Sequence, residues 1–207
     1  MANILDLSVD QGVIDAAAIK QSGQVVGLYA KATEGLTYTD AQFRRNRAVA
    51  FRRKIPFGPY HFYRAGDDGG LQAAFFVSVA KPFGALRPMV DVEEASFAGV
   101  TDSIDVKIER LSHLIDGLEG ALPRRKVGKP RAIIYTNCDT WQRFMGDTDA
   151  FCGHDLWVAQ SLDPRTSGLF GGWRKAAIWQ FGTTTVPGIA APVDTDELLV
   201  PISSLYL

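Results

Sequence analysis

Short apolar segments that end on a polar or acidic residue recur along the whole chain, and most are followed by a stretch with helical periodicity. Strands are expected at 4–9, 25–31, 56–63, 87–94, 131–136, 156–159 and 176–181, with a last short one near Val193 and Asp194. Between them, 15–21, 40–54, 67–80, 105–118 and 140–144 read as helices. Phe43, Val49, Ala50 and Phe51, for example, share one side of the second, and Leu111, Leu114 and Ile115 one side of the fourth. Strands alternating with helices predict a parallel sheet with right-handed crossovers. About eight strands in 207 residues suggest an α/β fold of the irregular, TIM-like barrel kind. Its first half is made of β/α units, and its last strands are joined by loops, because the spacing after the sixth leaves no room for full helices. An open doubly wound sheet is the alternative, but no Gly-x-Gly-x-x-Gly loop follows the first strand to support it.

The fourth strand carries the most informative chemistry, Arg87-Pro-Met-Val-Asp91-Val-Glu93-Glu94. Two acids at i and i+2 in a strand share one face, with Cβ atoms roughly 7 Å apart. Repulsion and partial desolvation would raise one pKa and leave the other group ionised. Glycoside hydrolysis needs that division of labour, one acid protonated and one charged. The competing explanation is a strand end whose acids point into solvent. Glu94 alternates to the other face, where a salt bridge to a barrel helix is expected.

In a parallel barrel the strand ends meet on one rim, the rim where active sites form. Asp6 ends the first strand and Glu34 follows the second. Tyr60 and His61 lie late in the third, with Asp91 and Glu93 at the end of the fourth. Tyr135 and Asn137 close the fifth, Gln180 ends the seventh, and Asp194 sits on the last. Acids, amides and aromatics converging there suit a carbohydrate cleft. A formal net charge of −1 gives no reason to expect nucleic acid or an anionic membrane. No apolar run approaches the ~20 residues of a membrane span. No two histidines have metal-ligand spacing, Cys138 and Cys152 match no zinc or redox pattern, and no Gly-x-Ser-x-Gly turn marks a serine hydrolase, so neither metal nor cofactor is expected.

Several motifs, in this order, resemble the lysozymes of glycoside hydrolase family 25. They are Asp6-Leu-Ser8-Val-Asp-Gln11-Gly12, Lys31-Ala-Thr-Glu34-Gly35, Tyr38-Thr-Asp40, Gly58-Pro-Tyr60-His61-Phe62 and Asp91-Val-Glu93. Tyr135-Thr-Asn137, Leu156-Trp157-Val-Ala159, Trp179-Gln180-Phe181 and Val193-Asp194 continue the match. The resemblance implies an irregular β/α barrel that cleaves the β-1,4 bond between N-acetylmuramic acid and N-acetylglucosamine in peptidoglycan. It makes Glu93 the general acid and Asp91, Asp6 and Asp194 the other acids of the centre. Glu34, Tyr60, His61, Tyr135, Asn137 and Gln180 become substrate-binding candidates. Gln160 and Ser161 stand where the family usually has a tyrosine.

On this reading residues 1–207 form one catalytic barrel without a separate cell-wall-binding module, expected to be a monomer. No secretory signal is visible, which fits a phage or prophage lysin acting on the cell wall. Sequence spacing fixes Cβ positions and not carboxyl-tip distances, so retaining, inverting and substrate-assisted routes all stay open. A hydrolase of another N-acetylglucosamine-containing glycan and an inactive glycan-binding barrel are the rival readings. Trp157 and Trp179 are expected to pack the barrel, Asp40 to be structural, and the basic run Arg124-Arg-Lys-Val-Gly-Lys to be a solvated loop.

Overall fold

The structure, a computed structural model, describes residues 3–123 and 131–207; the basic run from Arg124 to Lys129 lies outside them. The strands are β1 (Asn3–Leu7), β2 (Val25–Glu34), β3 (Tyr38–Thr39), β4 (Phe57–Phe62), β5 (Met89–Asp91), β6 (Ile133–Thr136), β7 (Asp155–Ala159), β8 (Ile178–Thr184) and β9 (Val193–Leu198). The helices are α1 (Ala16–Gln21), α2 (Phe43–Arg53), α3 (Gly69–Ala80), α4 (Ile104–Ala121), α5 (Cys138–Met145) and α6 (Pro164–Ser167). Side chains placed where sequence would put them cap several helices. Asp15 accepts from the Ala17 amide at 2.9 Å and Asp68 from that of Leu71 at 2.8 Å, satisfying donors a helix cannot satisfy itself.

The sheet closes on itself. Its order is β1-β9-β8-β7-β6-β5-β4-β2, with β1 also paired to β2, giving an eight-stranded barrel to which β3 is appended on β2. Seven barrel strands run parallel, but β9 is antiparallel to both neighbours, β1 and β8. That corrects the expectation of a wholly parallel barrel. The connection from β8 to β9, residues 185–192, is too short for a crossover, which takes a dozen or more residues. Past β7 the helices are the four-residue α6 and a 3-10 turn over Ile202–Leu205, as the short spacing required.

Strand alternation sorts side chains into two cores. Outward-facing residues such as Leu5, Leu28, Val90, Ile134 and Leu156 pack against Phe43, Phe76, Leu111 and Trp141 of the helices. Inward-facing Ile4, Tyr29, Met89, Ile133, Trp157 and Ile178 fill the lower barrel, which Leu205 helps to close. Each such side chain removed from water is worth about 1.5–3 kcal/mol. Gly58 makes the filling possible, because a Cβ there would collide with the Tyr29 ring. Trp157 and Trp179 both pack. Trp157 stands edge-on to Tyr29 at 5.2 Å, and Trp179 lies 4.5 Å from the Phe181 ring.

Candidate active site

Above the inner core the same strands present polar residues, which line a cleft of 240 Å³. Asp6 and Ser8 come from β1 and the turn after it, Lys31 from β2, and Tyr60 and Phe62 from β4. Asp91 ends β5, Glu93 follows it, Tyr135 comes from β6, and Asp194 from β9. Asp194 is the second residue of β9 rather than a strand end, and the reversed direction of that strand brings its beginning to this rim. Glu93 opens a short 3-10 turn over Glu94–Phe97, and its amide donates to the Ser96 hydroxyl at 3.1 Å. Glu94 turns away, exposed, toward Arg143 of α5 at 3.5 Å.

Five carboxyls thus line one cleft, the exposed Asp10 among them, and the surroundings of the other four, Asp6, Asp91, Glu93 and Asp194, disfavour full ionisation. Burial, then the charge of Asp194, pushes Asp6 up to about 7. Burial, then Glu93 and Asp6, holds Asp91 well above the usual carboxylate range. Asp91 is 9% exposed, and its Oδ1 and that of Asp6 have no hydrogen-bond partner among the described residues. Glu93 is raised chiefly by burial, against which Lys31 and Arg64 pull down. Burial also raises Asp194. Like charges this close cannot all ionise, so the centre holds protons under conditions where isolated carboxyls have lost them.

A bulge in β2 arranges the cationic edge. Lys31 pairs with Tyr60 and Thr33 with His61, so Ala32 is the extra residue. The shift turns Glu34 to the side of Lys31, and the two form a 2.6 Å ion pair. Arg64 grips Glu34 with two guanidinium nitrogens, and Lys31 sits 4.5 Å over the Phe62 ring. Burial would raise Glu34, but hydrogen bonds from Lys31 and Arg64 outweigh it and hold that acid below its ordinary value.

The substrate-binding candidates divide. Tyr60 and Tyr135 line the cleft, and the Tyr135 hydroxyl donates to Gln180 at 2.6 Å. Glu34 is committed to its two cations. Asn137 caps α5, accepting from the Thr140 amide at 2.8 Å. His61 faces away from the cleft, because neighbours in a strand point oppositely and Tyr60 points in. It is fully buried between Thr33, 2.8 Å from Nδ1, and Gln72, 3.1 Å from Nε2, and burial pushes it down to about 4. Asp40 accepts from the amides of Val9 and Gln42, both at 2.8 Å, a structural clamp. The sequence reading missed Lys31 as a cleft residue, although its position beside Glu34 was visible, and it passed over Asp196. Among the described residues no group of three or more His, Cys, Asp or Glu could hold a metal, and no helix is long and apolar enough to cross a membrane.

Comparison with known proteins gives a consistent picture. A family model described as glycosyl hydrolases family 25 matches residues 5–189, stopping short of Asp194. The autolytic lysozyme of Clostridium acetobutylicum is 36% identical over 89 residues, 43% of this chain and 27% of that protein. The chain therefore corresponds to a minor part of that relative. The bacterial lysozyme from Streptomyces coelicolor superposes with a TM-score of 0.82 at 23% identity, covering 99% of this chain and 94% of the other. A family GH25 lysozyme from Aspergillus fumigatus gives 0.81 at 24%, covering 99% and 96%. At those identities the likeness establishes the barrel architecture.

Proposed function

The chain belongs to glycosyl hydrolases family 25, and from that membership we propose that it is a muramidase, hydrolysing the β-1,4 bond between N-acetylmuramic acid and N-acetylglucosamine in peptidoglycan. The observation that carries this reading is the convergence of Glu93, Asp91, Asp6 and Asp194 on one cleft, with Glu93 half-buried yet open to it. Glu93 is the general acid. Its raised affinity for a proton lets it donate to the leaving glycosidic oxygen, while Asp6, Asp91 and Asp194 stabilise positive charge developing at the sugar carbon. Lys31 and Arg64 temper that rise, so that Glu93 can also give its proton up.

Tyr60 and Tyr135 line the part of the cleft a sugar would fill, Gln180 holds the Tyr135 hydroxyl in place, and the Phe62 ring carries Lys31 and Arg64 over it. Glu34 acts by fixing Lys31 at the cleft edge, whereas Asn137 and His61 support the scaffold. Residues 1–207 act as one catalytic unit and bind through the cleft. Its place of action on this reading is the bacterial cell wall, reached as a phage or prophage lysin, with cytolysis as the outcome.

Mass spectrometry of purified peptidoglycan digested by wild type and by Glu93→Gln tests the proposal. Muropeptides ending in reducing N-acetylmuramic acid are expected from wild type and not from the variant. Reducing N-acetylglucosamine ends would refute the bond assignment, and binding without any product would leave only a glycan-binding barrel.

A further inference from the structure

Beneath the cleft carboxyls lies a further one that solvent does not reach. Asp196 is 0% exposed and stands two residues from Asp194 on β9, so alternation turns both into the barrel. It is in register with Gln180 of β8 on one side and Ile4 of β1 on the other. Asp6, two residues along β1 on the same face, is its diagonal neighbour, a relation that sets the two roughly 7–8 Å apart at Cβ, near enough for the charge of Asp6 to act on Asp196. Oδ1 of Asp196 accepts a 2.9 Å bond from the Trp157 indole N–H. Oδ2 is buried without a partner among the described residues, and so is Oδ1 of Asp6. The Gln180 amide nitrogen, in register on the strand beside it, completes no hydrogen bond, yet it is near enough to act on Asp196 as a donor and oppose its protonation.

A charged carboxylate in that position would lose its hydration, leave one oxygen bare and repel Asp6. A proton on Oδ2 removes the charge and turns the bare acceptor into a donor, and across the diagonal Asp6 offers a bare acceptor. We propose that Asp196 is a positioning residue that stays protonated below the cleft floor and donates from Oδ2 to Asp6, holding Asp6 toward the cleft as the charged member of the pair. Burial and the charge of Asp6 push Asp196 up, against donation from Trp157 and Gln180; Asp196 is sealed from solvent whereas Asp6 is only part-buried and lines the cleft, so Asp6 is the member placed to carry the charge. The other titratable groups around the pair are Asp194 on β9, Asp91 and Glu93 at β5, Tyr60 on β4 and Tyr135 on β6. The cation lining the cleft is Lys31.

The test compares the full chain with Asp196→Asn, which keeps an acceptor for Trp157 and a donor for Asp6, and Asp196→Leu, which keeps neither. Infrared difference spectra at pH 7 are expected to show a buried protonated-carboxyl C=O component in wild type that Asp196→Asn lacks. In kinetics, which rest on the hydrolase reading, the acid limb of kcat/KM is expected to move up by about one pH unit in Asp196→Leu and by less in Asp196→Asn, with KM within about twofold. An unchanged infrared spectrum in Asp196→Asn, or a wild-type acid limb in folded Asp196→Leu, would overturn the proposal. Should the leucine variant not fold, the infrared comparison decides alone. Wild type that cleaves no glycan would sink the hydrolase reading, and the infrared result would still decide the proton on Asp196.

Discussion

The upper and lower layers of the barrel interior are built by the same strands and differ by two residues along each. Ile4 lies below Asp6, Tyr29 below Lys31, Met89 below Asp91, Ile133 below Tyr135 and Ile178 below Gln180. On reversed β9 the order inverts, with Leu198 low and Asp196 and Asp194 above it. The lower layer is mostly apolar and packed, although the buried Tyr29 hydroxyl also lacks a partner among the described residues. The upper one keeps bare buried oxygens on Asp6, Asp91 and Asp196. One strand repeat, roughly 7 Å, therefore separates a layer that stabilises from a layer held in an unfavourable state by it.

The sharpest way to break this contrast is one substitution in each layer. Glu93→Gln in the upper layer is expected to lower turnover by at least about 10²-fold while leaving the melting temperature unchanged or higher; muropeptide release and a thermal melt read the two quantities. Ile133→Ala in the lower layer should do the reverse. It costs about 2–5 kcal/mol of stability by denaturant titration, with KM of the folded fraction unaltered, and a matching loss of KM would show that the layers are not separable.

Titration sharpens the contrast further, because Asp6 and His61 face opposite sides of the sheet and should tilt stability in opposite directions. Folded Asp6 keeps its proton up to about 7, whereas an unfolded chain releases it near 3.8. Its contribution is therefore full below 3.8 and lost as pH rises to 7. His61 resists protonation down to about 4 against 6.5 when unfolded, so its contribution is present above 6.5 and lost as pH falls to 4. Melting temperature against pH should have a shallower downward slope in Asp6→Asn, the remainder coming from Asp91, Glu93, Asp194 and Asp196, which are raised too, and a smaller acid-side fall in His61→Gln; slopes that ignore both variants would contradict the assignment. The smallest effect expected is that of Arg143→Ala on the outer surface, which touches neither layer. Exposed ion pairs such as its contact with Glu94 contribute little, and melting temperature and activity should both stay at wild-type values.

Much of this was legible in the chain. Periodicity placed the strands and helices because hydrophobic alternation is local, and the i, i+2 spacing of Asp91 and Glu93 brings both to the cleft. What sequence could not supply is long-range. The antiparallel sense of β9 follows from a short connection and from closure onto β1, and the added hairpin strand β3 is only two residues long. The bulge at Ala32 is set by pairing with β4, and it alone explains why Glu34 meets Lys31. His61 was read as a cleft candidate beside Tyr60, though alternation already sends one of two neighbours outward. Asn137, read as a sugar ligand, also fits the start of α5, where a capping asparagine is ordinary. Asp196 carried a usable signal, its i, i+2 relation to Asp194, the same relation that singled out Asp91 and Glu93.

The closure of β9 onto β1 has a consequence in time as well as in space. Asp6 stands near the start of the chain and Asp194 near residue 200, and nothing between them can substitute for the pairing that makes them neighbours. Contacts of such long sequence separation form late, since the loop they close is costly in entropy. A ribosome that has delivered the first seven barrel strands has delivered Asp6, Asp91 and Glu93 but a sheet with an open seam. The proposed centre is completed only when β9 seals that seam, so a chain that still lacks its last barrel strand holds three of the four acids in a sheet that has not closed.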